Sequence, residues 1–206
     1  MPTRQERADA VRNRAAILAA AADLFDRADA TTVSVQEIAR SAGVSKAAVF
    51  RHFGDRSGLI QHILEPRAAA LRDAVTDGPP PLGPGAPPAA ALTAYLDALL
   101  DFVYRNRVLI RAFEYLGPDA YYTNAASRFW IAELGRRLAA VDPHRDADYL
   151  AHAVFTALRA DVLDYLHTVP GMTRPRIRTG LHTLATGAPP PDDRTPRRRA
   201  RRTSAD

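Results

Sequence analysis

Apolar side chains recur along this chain at spacings of three and four, and no stretch alternates over the length of a strand. The first such stripe predicts a helix from about Ala10 to Ala28, with Val11, Ala15, Leu18, Ala22 and Phe25 inward and Ile17, Ala21 and Leu24 widening it. The polar residues before it are expected to fray, and Asp29 to Thr32 to turn the chain. Ser34 then reads as an N-cap, and Glu37 three residues on completes a capping box ahead of the stripe Val35, Ile38, Ala39 and Ala42. Gly43 provides the positive φ of a sharp turn. Ser45 caps a second short helix, Lys46 to Phe53, whose buried face holds Val49 and Phe53. Lys46, Ala47, Phe50 and Arg51 point away, and small Ala47 and Ala48 make that outer face suited to a narrow space.

A fourth helix begins near Asp55, with Leu59, Ile60, Ile63, Leu64, Leu71, Ala74 and Val75 apolar. Pro66 has no N–H for the His62 carbonyl, and proline costs about 3 kcal/mol inside a helix, so a kink or break is expected between them. Gly78 to Pro88, rich in proline and glycine, reads as a semi-rigid linker that delivers Pro88 near the first turn of the next helix. Helices follow at Ala89–Asn106, Val108–Leu116, Asp119 or Ala120 to Val141, Asp146–Val169 and Arg174–Thr186. The expected architecture is all-α, about nine helices. Its parts are a three-helix head at residues 1–54, a larger helical body at 55–186, and a disordered proline- and arginine-rich tail at 187–206.

Charge sharpens this division. Residues 1–60 hold nine basic and seven acidic side chains, residues 61–186 thirteen of each, and residues 187–206 six arginines and three aspartates. Basic ends on a neutral body suit a protein whose ends meet nucleic acid. The run of arginines in the tail can add nonspecific phosphate contacts. With no cysteine, the chain has neither disulfides nor thiolate metal sites. It shows no H-E-x-x-H pair, nucleophile elbow or phosphate loop, so no catalysis, metal or cofactor is expected. No apolar run reaches a membrane span and no signal-peptide core opens the chain, which points to a cytoplasmic protein without a membrane partner.

Two short capped helices about a glycine turn have the shape of a helix-turn-helix DNA reader. The run I-A-x-x-A-G-V-S-K-x-x-x-F-x-H-F, from Ile38 to Phe53, closely resembles the DNA-binding signature of the tetracycline-repressor (TetR) family of bacterial transcription regulators. The resemblance spans roughly Arg14 to Ile60 and includes R-x-x-I-L-x-A-A-x-x-L-F of the first helix. It implies that Ser45, Lys46, Ala47 and Ala48 open the recognition helix against double-stranded operator DNA. Lys46 is a candidate donor to guanine, and the alanine methyls candidates to pack on thymine. Phe50 stands where tyrosine is usual, which removes a phosphate hydrogen bond. Arg51 is a candidate for base or phosphate, His52 and Arg56 for phosphate, and the amides at Thr32, Val33 and Ser34 for a helix N-terminal phosphate contact.

The same resemblance implies a homodimer formed through the last two helices, with Val154, Leu158, Val162, Ile177, Leu181 and Leu184 as candidates. It also implies a pocket for a small-molecule effector in the body. Aromatic candidates there are Tyr95, Phe102, Phe113, Tyr122, Phe129, Trp130 and Phe155, and polar ones are Arg111, Glu114, Asn124 and Asp161. Asp161 continues the Val154, Ala157, Leu158 stripe, where a carboxylate needs a partner, and a dimer salt bridge accounts for it as well as a ligand does. The expected function is a ligand-released repressor on a palindromic operator. Activation, or DNA binding without an effector, are the alternatives.

Overall fold

The computed structural model describes residues 4–27, 33–114 and 118–187. Among these the chain forms eleven helices and no strand: α1 Arg4–Arg27, α2 Val35–Ser41, α3 Lys46–Phe53, α4 Arg56–Thr76, α5 Pro88–Arg105, α6 Arg107–Glu114, α7 Pro118–Thr123, α8 Ala125–Val141, α9 Ala147–Ala157, α10 Ala160–Thr168 and α11 Arg174–Thr186. The predicted turn at Asp29–Thr32 and the tail beyond Gly187 lie outside the described residues. No described helix is long and apolar enough to cross a membrane.

Two apolar clusters organise the packing. The first joins Ile17, Ala21 and Phe25 of α1 to Ile38 of α2, Val49 and Phe53 of α3, and Leu59, Ile60 and Ile63 of α4. Leu109, Ala112 and Phe113 of α6 complete it, so the head core takes one wall from the body. The second cluster runs through α4, α5 and α8 to α11, with Leu92, Tyr95, Leu96, Leu134, Val154 and Leu163 at its centre. Ile110 of α6 belongs to this second cluster. Within one turn, α6 therefore gives Ile110 to the body and Phe113 to the head. α4 serves both cores in the same way, through Ile63 and Ala68.

Several elements differ from expectation. α1 starts at Arg4 rather than Ala10, and its first turns carry Gln5–Asp9 and Arg12–Asp9 side-chain pairs. Its buried line is Ile17, Ala21 and Phe25, while Val11 is 68% exposed. α4 runs unbroken through Pro66. Pro66 and His62 are both exposed, so the missing hydrogen bond falls on the outer face of the helix. The proline-rich connection is pinned to the body by Arg137 of α8, itself only 4% exposed. The Arg137 guanidinium donates to the Leu82 carbonyl (2.6 Å) and the Ala91 carbonyl (2.8 Å), binds Glu133 (2.7 Å) and lies over the Tyr95 ring (4.8 Å).

Two helices expected to be continuous are divided. Asn124 interrupts the first by capping α8, its Oδ1 accepting from the Ser127 amide at 2.9 Å. The second is divided at Leu158–Arg159 without glycine or proline. There the Glu114 carboxylate of α6 accepts from the amides of Ala160 (2.8 Å) and Asp161 (3.1 Å). A side chain 46 residues away in sequence thus caps α10.

Candidate nucleic-acid interface and body cavity

The head's reading unit is built by local capping. The Ser34 amide donates to Glu37 Oε2 (2.8 Å) and the Glu37 amide to Ser34 Oγ (3.2 Å), the reciprocal pair that starts α2. The Ser34 amide, and then its hydroxyl, hold the Glu37 carboxyl below its ordinary value. α2 ends with the Gly43 amide on the Arg40 carbonyl and the Val44 amide on the Ala39 carbonyl, with Gly43 at φ +67°. That is the Schellman pattern, in which the residue after the C-cap must adopt a left-handed conformation. Ser45 Oγ then accepts from the Ala48 amide (3.1 Å) and begins α3.

α3 presents Lys46, Ala47, Phe50 and Arg51 to solvent, with Phe50 42% exposed. Lys46 Nζ lies 5.7 Å from the centre of the Phe50 ring, so the first and second turns of this face are joined by a cation–π contact. Ala48, expected on the outer face, is buried at 6% exposure. Its position between Val49 and the capping Ser45 turns its methyl inward, leaving Ala47 as the exposed alanine. Val33 is also buried and Ser34 exposed, while Thr32 lies outside the described residues. Half-buried His52 keeps a buried Nε2 without a hydrogen-bond partner among the described residues. Arg56 is half-buried in the first turn of α4.

The α3–α4 junction explains the Arg56-Ser57-Gly58 sequence. Asp55 caps α4 by accepting from the Gly58 amide at 2.8 Å. A Cβ at Gly58 would stand 2.1 Å from the Phe53 carbonyl oxygen. Only glycine allows the recognition helix to end this close to α4.

The body holds a partly open cavity of about 380 Å³ between α4, α5, α6, α7, α8 and α9. Phe102, Phe113, Trp130 and Phe155 line it, as does Asn124. The other predicted ligand residues stand elsewhere. Tyr95 is wholly buried, its hydroxyl donating to the Trp130 carbonyl (3.0 Å). Arg111 binds Asp164 at 3.1 Å, and Glu114 caps α10. Tyr122 packs edge-on against Tyr121 (5.0 Å) with its hydroxyl 3.3 Å from Thr156 Oγ1, and Phe129 packs edge-on against Trp130 (4.8 Å). Asp161 is bound in bidentate fashion by Arg159 at 2.9 and 2.8 Å. On a continuous helix Arg159 would point elsewhere; the division before α10 brings it round.

This corner is electrostatically tight. Burial raises the Glu114 carboxyl above its ordinary value, against the pull of the Ala160 amide. The Arg159 hydrogen bonds hold Asp161 below its ordinary value. The Arg159 guanidinium also covers the Tyr121 ring at 4.9 Å. Burial pushes the Tyr121 hydroxyl up, and this residue, stacked on Phe155 at 5.1 Å, lines the cavity. Tyr121 escaped sequence reasoning because a single continuous helix put Tyr122 inward. The α4 residues Gln61, His62 and Glu65, also in the lining, carry no apolar signal.

Of the expected dimer residues, Val154, Leu158, Ile177 and Leu181 are buried within the chain. Their helices pack on the body core, so Leu184 is the exposed one, with Val162 half-buried.

An all-helical chain with a capped helix-turn-helix head and a hollow helical body is the architecture of a DNA-binding transcription regulator. Residues 17–63 match the family model described as bacterial regulatory proteins, tetR family. The match covers the head, which is similar to the DNA-binding part of that family. The fold is similar to the crystal structure of a HlyIIR mutant protein, at 14% identity and a TM-score of 0.55 over 87% of this chain and 98% of that one. It is also similar to native NalD, the secondary repressor of the MexAB-OprM multidrug efflux pump in Pseudomonas aeruginosa. That match has 24% identity and a TM-score of 0.53, covering 85% of this chain and 93% of that one. At these identities the likeness establishes the fold. No curated protein matches the sequence.

Proposed function

We propose that this regulator is a repressor that binds a palindromic operator as a homodimer and is released by a small molecule held in the body cavity. The observation that carries the reading is a shared wall. Phe113 lines the cavity and also belongs to the head core. Beside it, His62 lines the cavity and meets the ring of Phe53, the last residue of α3, edge-on at 5.2 Å. A molecule entering the cavity touches residues that set the position of the recognition helix. To release DNA it must favour the displaced head by several kcal/mol, about 5.5 for a full reversal of populations.

Lys46, Ala47, Phe50 and Arg51 form the reading face in this account, with Ser34, Ser45, His52 and Arg56 toward the backbone. Two copies are needed because one short helix reads too few bases. Tyr149, Tyr165, Val169 and Leu184, large exposed apolar residues of α9, α10 and α11, suit the partner copy. The body, by this reading, is the sensor and dimerisation domain.

Fluorescence anisotropy on a duplex taken from upstream of the chain's own gene tests the proposal. Footprinting is expected to show a two-fold symmetric protected site, occupied by two copies, and a compound screen to find molecules that release it. Ala126→Trp, which fills the cavity, is expected to abolish release while leaving DNA affinity unchanged. Release that persists in the filled variant, or a lone copy on an asymmetric site, would refute it.

A further inference from the structure

The cavity lining has a chemical bias. Among the described residues, no arginine or lysine lines the cavity. Among the described residues Glu65 is the only carboxylate in the lining, on the exposed side of α4, where its Oε1 binds Arg72 at 2.5 Å. Asn124 is already engaged: its Oδ1 accepts from the Ser127 amide, and its Nδ2 donates to the Tyr121 carbonyl and Ser127 Oγ, each at 2.9 Å. The ring faces of Phe102, Trp130 and Phe155 provide most of the remaining surface. An anion entering this space would lose its hydration, and the one lining side chain able to carry positive charge, His62, already turns its Nδ1 to the Gly58 carbonyl (2.7 Å). A cation would meet aromatic π-faces, which attract positive charge, and the Glu65 carboxylate at one side.

Resting on the reading that this cavity takes the effector, we propose that the effector is a lipophilic aromatic compound bearing a protonated or quaternary amine. Its rings lie against Trp130, Phe102 and Phe155, and its cation beside Glu65. Compounds with carboxylate or phosphate groups are rejected.

Trp130 is the chain's single tryptophan, so its fluorescence reports occupancy of the cavity directly. The probes are three dibenzazepines with the same tricyclic body and a dimethylaminopropyl, a propyl or a propanoate side chain. The full chain is titrated with each, and calorimetry checks the affinities. The amine is expected to bind at least about tenfold more tightly than the acid, since only the acid strands a charge. Glu65→Gln is expected to weaken the amine about three- to fivefold, as an exposed ion pair allows, and the propyl compound less than about twofold. Glu65→Asp, which keeps the charge, retains the preference.

An acid that binds as well as the amine overturns the proposal, as does an amine whose affinity is indifferent to Glu65→Gln. If none of the three quenches Trp130, the cavity is not an effector site and both readings fall. If the amine quenches Trp130 but leaves operator DNA bound, the release mechanism falls and the ligand class stands.

Discussion

Removing the Glu114 carboxylate tests the joint between α6 and α10. Glu114→Ala deletes two hydrogen bonds, to the amides of Ala160 and Asp161. Losing an N-cap costs about 0.5–2 kcal/mol. Because Ala160 is wholly buried, its amide is also stranded away from water, at about 1–3 kcal/mol. Against these stands the relief of a carboxylate that burial disfavours, so the net loss is expected at about 2–4 kcal/mol. Glu114→Gln keeps the shape and one carbonyl acceptor and sheds the charge. It gives up a favourable interaction with the α10 N-terminus, about 0.3–1 kcal/mol, together with the desolvation cost, and is expected within about 1 kcal/mol of the parent.

Urea unfolding followed by far-ultraviolet circular dichroism measures both variants, with the slope checked for constancy. The pH dependence has a definite sign. The folded Glu114 carboxyl sits above its ordinary value, so its contribution is most favourable below the ordinary carboxylate range and is lost as pH rises through the raised value. Over that rise, Glu114→Gln is expected to gain on the parent. An alanine variant within about 0.5 kcal/mol of the parent, or a glutamine variant as unstable as alanine, refutes the capping account.

The other predictions concern the head and α5. Gly58→Ala would add about 1 kcal/mol in an ordinary helix interior, but the close Phe53 carbonyl reverses the sign. A loss of about 1–3 kcal/mol and weaker operator binding are expected, and a raised melting temperature refutes the close approach. Lys46→Ala is expected to cost about 1–3 kcal/mol at one operator position, by anisotropy on single-base operator variants, whereas equal loss on every sequence makes Lys46 a phosphate contact. Burial works to raise the Asp97 carboxyl, but hydrogen bonds from Arg178 and from His182, 1% exposed, outweigh it and leave it below its ordinary value. Its stabilisation is present above the ordinary aspartate value and is lost as pH falls through the depressed one. The melting temperatures of Asp97→Asn and the parent are therefore expected to converge on acidification; a constant gap refutes this role.

What was legible in the sequence follows the range over which each structural cause acts. The helix pair α2 and α3 was readable nearly to the residue because its causes are local. Ser34 and Glu37, Gly43, and Ser45 each act within four positions. Ala48 was misplaced because the wheel puts it near the border between faces, where packing against neighbouring helices decides. In the body, Arg174–Thr186 was found at its full extent since Thr173 caps it locally and Gly187, at φ +76°, ends it. Pro66 does not break α4, since it lies on an exposed face, where the missing hydrogen bond costs least.

The division before α10 has the opposite character. Nothing between Val154 and Leu163 departs from a helical pattern, and the residue that ends one helix and starts the next is Glu114, on another element. That one long-range contact has three effects. It turns Arg159 onto Asp161, leaving that carboxylate to an intrachain partner rather than to a ligand or a dimer. It brings the same guanidinium over Tyr121, the ring that lines the cavity in place of Tyr122. It also joins α10, with exposed Tyr165, to α6, whose Phe113 is shared by head and cavity. A polar residue read as a pocket candidate is thus a structural joint, and the cavity's composition depends on it: with Glu114, Arg159 and Asp161 satisfying one another outside the lining, the cavity is left aromatic and, among the described residues, without arginine or lysine.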